Sequence, residues 1–342
     1  MKKFKTGDWI LLILSAASLV GCIVEYQRRY RFIYFCLPLI FFIFFFVQRR
    51  FNKEKGMLVK MAALFLVTMF VIYCSLVFYI TSTPIGMVRD LASERFVSEN
   101  EIFEQLSIPS MNGNASGWLY KHSDEKAPLV IFFNGAGECA SETVWRFWEE
   151  GILSEYFPGS HFMCTDYPSY GFSDGFVCEA SMKELALITY DTAIQWDFVD
   201  KSNITVIGYS IGTGPASYLA SQRELASLAL LAPYDKYWNN RCNASEARAE
   251  REGKPNKFKL AFERVFYGAL CGFNLDLIDY ADSIEEPVLI IYSLEDTTIL
   301  PEGTMRFADK IQNVKVAPLT EVKHEELLCN TSYEMIRAFL NE

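Results

Sequence analysis

The segment Asn203-Ile-Thr-Val-Ile-Gly-Tyr-Ser-Ile-Gly-Thr-Gly-Pro215 joins a short β-branched run to a helical stretch through Gly208-Tyr209-Ser210-Ile211-Gly212. A Gly-x-Ser-x-Gly turn between a strand and a helix lifts the serine hydroxyl clear of a sheet in a strained backbone conformation. Gly208 and Gly212 are needed because a side chain at either position would collide where strand and helix converge. The following helix amino terminus favours negative charge developing on a reacting oxygen. The pattern is short enough to recur by chance. Its position at a strand-to-helix junction makes it specific.

Outward from this turn, short apolar runs alternate with longer helical patterns, the signature of a parallel sheet with crossover helices. The spacing predicts strands at 129–133, 161–165, 204–207, 228–231, 288–292 and 314–318. It predicts helices at 143–150, 182–196, 213–221, 304–310 and 333–340. Continuous Val, Ile, Leu and Phe runs of this kind belong to strands covered by helices on both faces. The turn-forming Asn112-Gly113-Asn114 suggests a leading antiparallel hairpin within 81–117. From about 236 to 283 the alternation stops: the chain is polar, then helical over 258–270. An insertion of that length after a strand is expected to form a small cap over the carboxyl ends of the strands.

A serine hydroxyl needs a base. Only three histidines are available, and His122 and His161 lie upstream, where they read as surface and strand-edge residues. His324, in Thr320-Glu-Val-Lys-His-Glu-Glu326, follows the last expected strand and is the candidate base. A carboxylate must orient the imidazole and stabilise its charged form. Asp296, in Ser293-Leu-Glu-Asp-Thr-Thr-Ile-Leu-Pro301, stands at the carboxyl end of the penultimate strand, with Glu295 and Asp235 as competitors. The chain order serine, acid, histidine is a known arrangement of such triads. Two backbone amides would complete an oxyanion hole: Ile211 after the nucleophile, and Ala136 in the turn Phe132-Phe-Asn-Gly-Ala-Gly-Glu138, where Gly135 and Gly137 permit close backbone approach. No residue pattern calls for a metal or cofactor.

Residues from about 118 to 340 resemble the α/β-hydrolase superfamily. They are especially similar to its membrane-anchored branch related to serine aminopeptidases and depalmitoylating abhydrolase-domain proteins. The resemblance implies a mostly parallel α/β sheet with helices on both faces. That branch has a His-Gly turn where this chain has Asn134-Gly135. It also carries an Asp-Tyr-Arg-Gly-x-Gly-x-Ser segment, where this chain has Asp166-Tyr-Pro-Ser-Tyr-Gly-Phe-Ser173. Both departures leave the triad intact and the substrate open, since members of the superfamily cleave esters, thioesters or peptides with one machinery.

The first 80 residues are of another kind. Three apolar stretches at about 9–26, 32–47 and 58–80 approach the length that crosses a bilayer. They are read as transmembrane helices, the first retained rather than cleaved as a signal peptide. Eleven Lys or Arg against three acidic residues give this part a net +8, which leaves −18 for residues 81–342 of a chain at −10. An acidic globular part excludes nucleic acid as a partner, because phosphate neutralisation needs a basic face. The loop charges favour a cytoplasmic amino terminus by eight basic residues against five. With three spans, the globular domain then faces the extracytoplasmic side. Six cysteines beyond the apolar stretches permit disulfides but show no zinc spacing. Four Asn-x-Ser/Thr sequons, at Asn114, Asn203, Asn243 and Asn330, would matter only in a eukaryotic secretory setting.

The expectation is therefore a membrane-anchored serine hydrolase whose partners are the bilayer and a small-molecule or lipid-derived acyl substrate, lipidated or peptide. Two competing readings use the same fold: a catalytically inactive membrane-tethered binding or scaffold protein, and an acyltransferase with a different acceptor.

Overall fold

Strands β1 (Phe103–Ser110) and β2 (Gly113–Tyr120) form a hairpin at one edge of an eight-stranded sheet. The others are β3 (Ala127–Phe133), β4 (His161–Thr165), β5 (Val199–Tyr209), β6 (Ser227–Leu231), β7 (Val288–Ser293) and β8 (Val314–Leu319). Their spatial order is β1-β2-β4-β3-β5-β6-β7-β8. The β1–β2 and β2–β4 pairs are antiparallel and every later pair is parallel. The computed structural model describes residues 90–175, 177–253, 257–258, 260–261, 264 and 275–342. The three predicted spans, and most of the helix expected at 258–270, lie outside the described residues. Among the described residues, no helix is long and apolar enough to cross a membrane.

Successive residues of a strand face opposite sides of a sheet. β4, β6 and β7 are buried at every position, so both faces of the sheet are covered. Each such Leu, Ile or Phe contributes about 1.5–3 kcal/mol by leaving water. One helical layer comprises α1 (Leu91–Ser98), α2 (Ala140–Glu149), α3 (Ile152–Tyr156) and α8 (Asn330–Leu340). Aromatic pairs hold it together: Phe96 lies 5.2 Å from Trp145, and Tyr333 lies 5.6 Å from Phe147 and 5.4 Å from Tyr156. A second group comprises α4 (Glu179–Ala193) and α5 (Thr213–Ala220), the latter leading into Arg223, which binds Asp191 of α4 through both its Nε and Nη2 at 2.8 Å. The remaining helices are α6 (Tyr237–Arg251) and α7 (Pro301–Ala308). Edge strands β1 and β8 each contain a proline, Pro109 and Pro318, a residue that cannot donate to a further strand.

Several boundaries differ from expectation for identifiable reasons. The division expected at 117/118 falls inside β2, which continues to Tyr120 and pairs with β4 from Gly117↔Thr165 to Tyr120↔Phe162. The hairpin therefore belongs to the sheet and is not part of a linker. Helix α4 starts three residues early because Cys178 caps it: its sulfur accepts from the Ser181 amide, and Ser181 Oγ accepts from the Cys178 amide at 2.9 Å. Helix α7 starts at Pro301, whose missing amide proton costs nothing in a first turn. Helix α1, unforeseen in a region read as linker, is capped by Asp90, which accepts from the Ala92 amide at 3.0 Å.

The insertion after β6 also begins differently. Its polar first part is helix α6, rich in Ala, Glu and Arg, which favour helix without leaving an apolar stripe. The neck of the insertion is closed by Asp276 Oδ1, which accepts from the Tyr237 amide at 2.9 Å, and by Ile278, whose amide donates to the Asp235 carbonyl at 3.1 Å. Among the described residues, Cys139, Cys164, Cys178 and Cys329 are free thiols.

Candidate active site

Ser210 follows directly on β5 with φ 53°, in the left-handed region that ordinary residues avoid at a cost of roughly 1–2 kcal/mol. Its neighbours explain how that strain persists. A Cβ on Gly212 would sit 2.1 Å from the Phe133 carbonyl oxygen, and one on Gly208 would sit 2.7 Å from the Gly212 carbonyl oxygen. The two glycines therefore let β5, α5 and the end of β3 meet in a space no side chain could share. Thr213 closes the turn, its hydroxyl donating to the Ser210 carbonyl at 2.6 Å.

The parallel strands deliver the other groups to the same edge. His324 lies five residues past β8, and its Nε2 is 2.9 Å from Ser210 Oγ. Its Nδ1 is 2.6 Å from Asp296 Oδ2. With the Nδ1 proton donated to the carboxylate, Nε2 is free to accept the serine proton. The other oxygen of Asp296 accepts from the Thr298 and Ile299 amides at 2.7 and 2.8 Å. Neither competing carboxylate bonds the imidazole. Glu295 is exposed, and Asp235 is buried against Arg306, Oδ2 to Nε 2.7 Å. His161 is enclosed in the sheet, with Nδ1 accepting from the His122 amide at 3.1 Å and Nε2 donating to the Phe198 carbonyl at 3.1 Å. Burial also lowers its pKa, which favours the neutral ring.

Two side chains that no sequence pattern marks hold the acid and base loops. Ser293, fully buried, donates to the Val322 carbonyl and accepts from the Glu295 amide at 3.0 Å, tying the two loops together. Asn240 of α6 donates to the Thr298 carbonyl at 2.8 Å and accepts from the Leu300 amide at 3.0 Å. Helix α6 of the insertion thereby clamps the turn that presents Asp296.

The turn after β3 differs from its expected logic in one respect. A Cβ on Gly135 would meet the Tyr209 ring at 2.8 Å and Ser210 Cβ only at 3.8 Å. Gly135 is required by the tyrosine rather than by approach to a ligand. Asn134 points inward, its Oδ1 accepting from Thr143 Oγ1 at 2.9 Å and Cys164 Sγ at 3.3 Å. Ala136 and Gly137 are exposed beside it, Gly137 at φ 103°. A bidentate Arg146–Glu138 pair, 2.9 and 3.2 Å, anchors the end of the turn. Ile211 is buried in the 3-10 turn Ser210–Gly212. On the flank of His324 lies an open pocket of about 430 Å³, lined also by Glu295, Thr297, Glu321, Lys323, Glu325 and Glu326. Among the described residues, no group of three His, Cys, Asp or Glu side chains is placed to hold a metal.

No protein-family model and no curated protein sequence matches the chain. Solved structures do. An esterase from Pyrococcus furiosus aligns at 17% identity and TM-score 0.55, over 75% of this chain and 97% of that one. An α/β hydrolase from Penicillium aligns at 15% and 0.51, over 70% and 98%. An acylaminoacyl peptidase in complex with Z-Gly-Gly-Phe-chloromethyl ketone aligns at 16% and 0.53, over 73% and 43%. The chain has the α/β-hydrolase fold.

Within that fold the segment Asp166–Ser173 buttresses the Asn134 turn. Asp166 Oδ1 accepts from the Ala140 amide at 2.7 Å, and the Tyr167 hydroxyl donates to the Asn134 carbonyl. Gly171 is irreplaceable here, since at φ 46° its Cβ would meet Asp166 Oδ2 at 2.2 Å. Ser169, in the same turn, adopts φ 71°. The turn therefore carries backbone strain at a residue with a side chain.

Proposed function

We propose that this protein is a membrane-anchored serine hydrolase that cleaves an ester, thioester or amide through an acyl-enzyme. The observation that carries the reading is the unbroken hydrogen-bond chain from Ser210 Oγ to His324 Nε2 at 2.9 Å and from His324 Nδ1 to Asp296 at 2.6 Å. Ser210 Oγ attacks the substrate carbonyl as His324 takes its proton, forming a tetrahedral oxyanion. The amides of Ile211 and Ala136 receive that charge. His324 then gives the proton to the leaving alcohol, thiol or amine as the carbonyl–heteroatom bond breaks. Water, deprotonated by His324, releases the acid and restores Ser210. The Asp296 carboxylate orients the imidazole and stabilises the imidazolium as it forms.

The substrate class follows from setting and charge. Four carboxylates and one lysine line the pocket beside His324, so a leaving group that passes there is neutral or cationic rather than anionic. The three apolar stretches before residue 81 anchor the domain at a bilayer, on the extracytoplasmic side by the loop charges. Lipid-derived or lipidated acyl groups are the substrates that such an anchor brings within reach.

The test is a fluorophosphonate activity probe applied to cells expressing the full-length chain. Wild type is labelled and Ser210→Ala is not. Labelling that persists in Ser210→Ala sinks the assignment. A membrane-impermeant version of the probe labels intact cells if the domain is outside, and only broken cells if it is inside.

A further inference from the structure

Tyr209 is the residue before the candidate nucleophile, and three contacts surround it. Its hydroxyl donates to the main-chain carbonyl of His324 at 2.8 Å, across 115 residues of sequence. Its ring lies against the His324 imidazole, centroids 5.5 Å apart and planes inclined by 26°. On another side it fills the space that the absent side chain of Gly135 leaves. Tyr209 is itself the last residue of β5, paired with Leu231 of β6, so its backbone is fixed by the centre of the sheet.

His324 lies in no strand, and is otherwise held by its bond to Asp296 and by the Ser293–Val322 tie two residues before it. It stands on a loop beyond the half-exposed edge strand β8, and its side chain keeps some contact with solvent. We infer that Tyr209 is the positioning residue for the base, setting the His324 imidazole at hydrogen-bond distance from Ser210 by gripping both the main chain and the ring face of His324. The inference rests on the serine-hydrolase reading and deepens it. The hydroxyl touches no reacting atom; it fixes where the loop backbone lies. The ring does a second job, since an aromatic face stabilises the imidazolium that forms when the serine proton is taken. Burial raises the phenol pKa above its ordinary value, so the hydroxyl remains a donor throughout the working range. The strand that carries the nucleophile thus also sets the base, and the 2.9 Å Ser210–His324 contact is held from both ends.

The two contributions separate with two variants in the full-length chain in its membranes. Tyr209→Phe keeps the ring and loses the hydroxyl; Tyr209→Leu loses both. The readout is the rate of fluorophosphonate labelling at Ser210 across pH. Tyr209→Phe is expected to lower the plateau rate about tenfold, because small misplacements of a base are amplified in rate. It also moves the acid-side midpoint to lower pH, since a looser His324 is less stabilised as imidazolium by Asp296. Tyr209→Leu lowers the rate about a hundredfold and moves the midpoint further, because the ring face is also gone. The other charged groups around His324 are untouched: Asp296 and Glu295 on one loop, Glu321, Lys323, Glu325 and Glu326 on its own, and the Glu138–Arg146 pair beyond the tyrosine ring. A shift therefore isolates Tyr209. Wild-type rate and midpoint in Tyr209→Phe would overturn the inference, as would a lowered rate with an unmoved midpoint, the mark of a packing defect. A wild type that is not labelled at Ser210 would overturn the hydrolase reading, and the inference with it.

Discussion

The turn that carries Ser210 and the loops that carry His324 and Asp296 meet within 3 Å, yet they are built by opposite means. The turn sits at the end of a central strand and is shaped by steric exclusion: Gly208 and Gly212 leave no room for any other backbone path. The loops lie beyond the last two strands and are shaped by hydrogen bonds from distant residues, with Ser293, Asn240 and Tyr209 each holding a backbone group. The lesson is that the nucleophile depends on packing and fails with the fold. The base and acid depend on polar contacts and can fail alone.

The sharpest way to break this comparison is to damage chemistry without damaging the fold. Asp296→Asn keeps the size of the acid but cannot hold the right imidazole tautomer, so labelling by a fluorophosphonate should slow about 10³–10⁴-fold. Its chemical unfolding midpoint should stay close to wild type. Gly212→Ala should do the reverse, because a Cβ 2.1 Å from the Phe133 carbonyl oxygen has nowhere to go. It should cost about 3 kcal/mol or more in a urea titration. Recovery of wild-type stability in that variant would mean the turn is not sterically fixed.

Between these extremes, Asn240→Ala should slow labelling about tenfold while costing about 1–2 kcal/mol, since it leaves the Leu300 amide and Thr298 carbonyl without their partner. An unchanged labelling rate would break the link drawn between helix α6 and the acid.

A pH effect must be removed before the two regions can be compared by titration. Glu286, just before the strand that leads to Asp296, has its carboxyl pushed by burial from 4.5 up to about 7. A raised carboxyl pKa means the protonated form is favoured in the fold. That stability is fully present below about pH 4.5 and is lost as pH rises through 7. Glu286→Gln should therefore be more stable than wild type by about 1–2 kcal/mol at pH 8, after allowing for solvent screening, and should match it near pH 4.5. Equal stability at pH 8 would contradict this placement of the charge.

The division between sterics and long-range polar contacts also explains what was legible in the sequence. β4 occupies the predicted 161–165, because a run that is buried on both faces must be apolar throughout. Ser210 sits where its flanking glycines require, and His324, named by elimination and position, and Asp296, named from its place after the penultimate strand, meet it in space. Helix α6 was hidden because its Ala, Glu and Arg content leaves no apolar period. The starts of α4 and α7 were displaced because a thiol cap and a proline set them ahead of the first apolar residue. Asn240, Ser293 and Tyr209 carry no local signature, since each acts on a backbone group 29 to 115 residues away. The role of Gly135 could be seen only once the Tyr209 ring was found against it.

The central claim is that Ser210 is a nucleophile activated by His324. Peptide mass spectrometry of the fluorophosphonate-treated chain tests it most directly. The adduct is expected on Ser210 in the wild type, and to be nearly absent at the same exposure time in His324→Ala. An adduct on another residue, or labelling of His324→Ala at the wild-type rate, would contradict it.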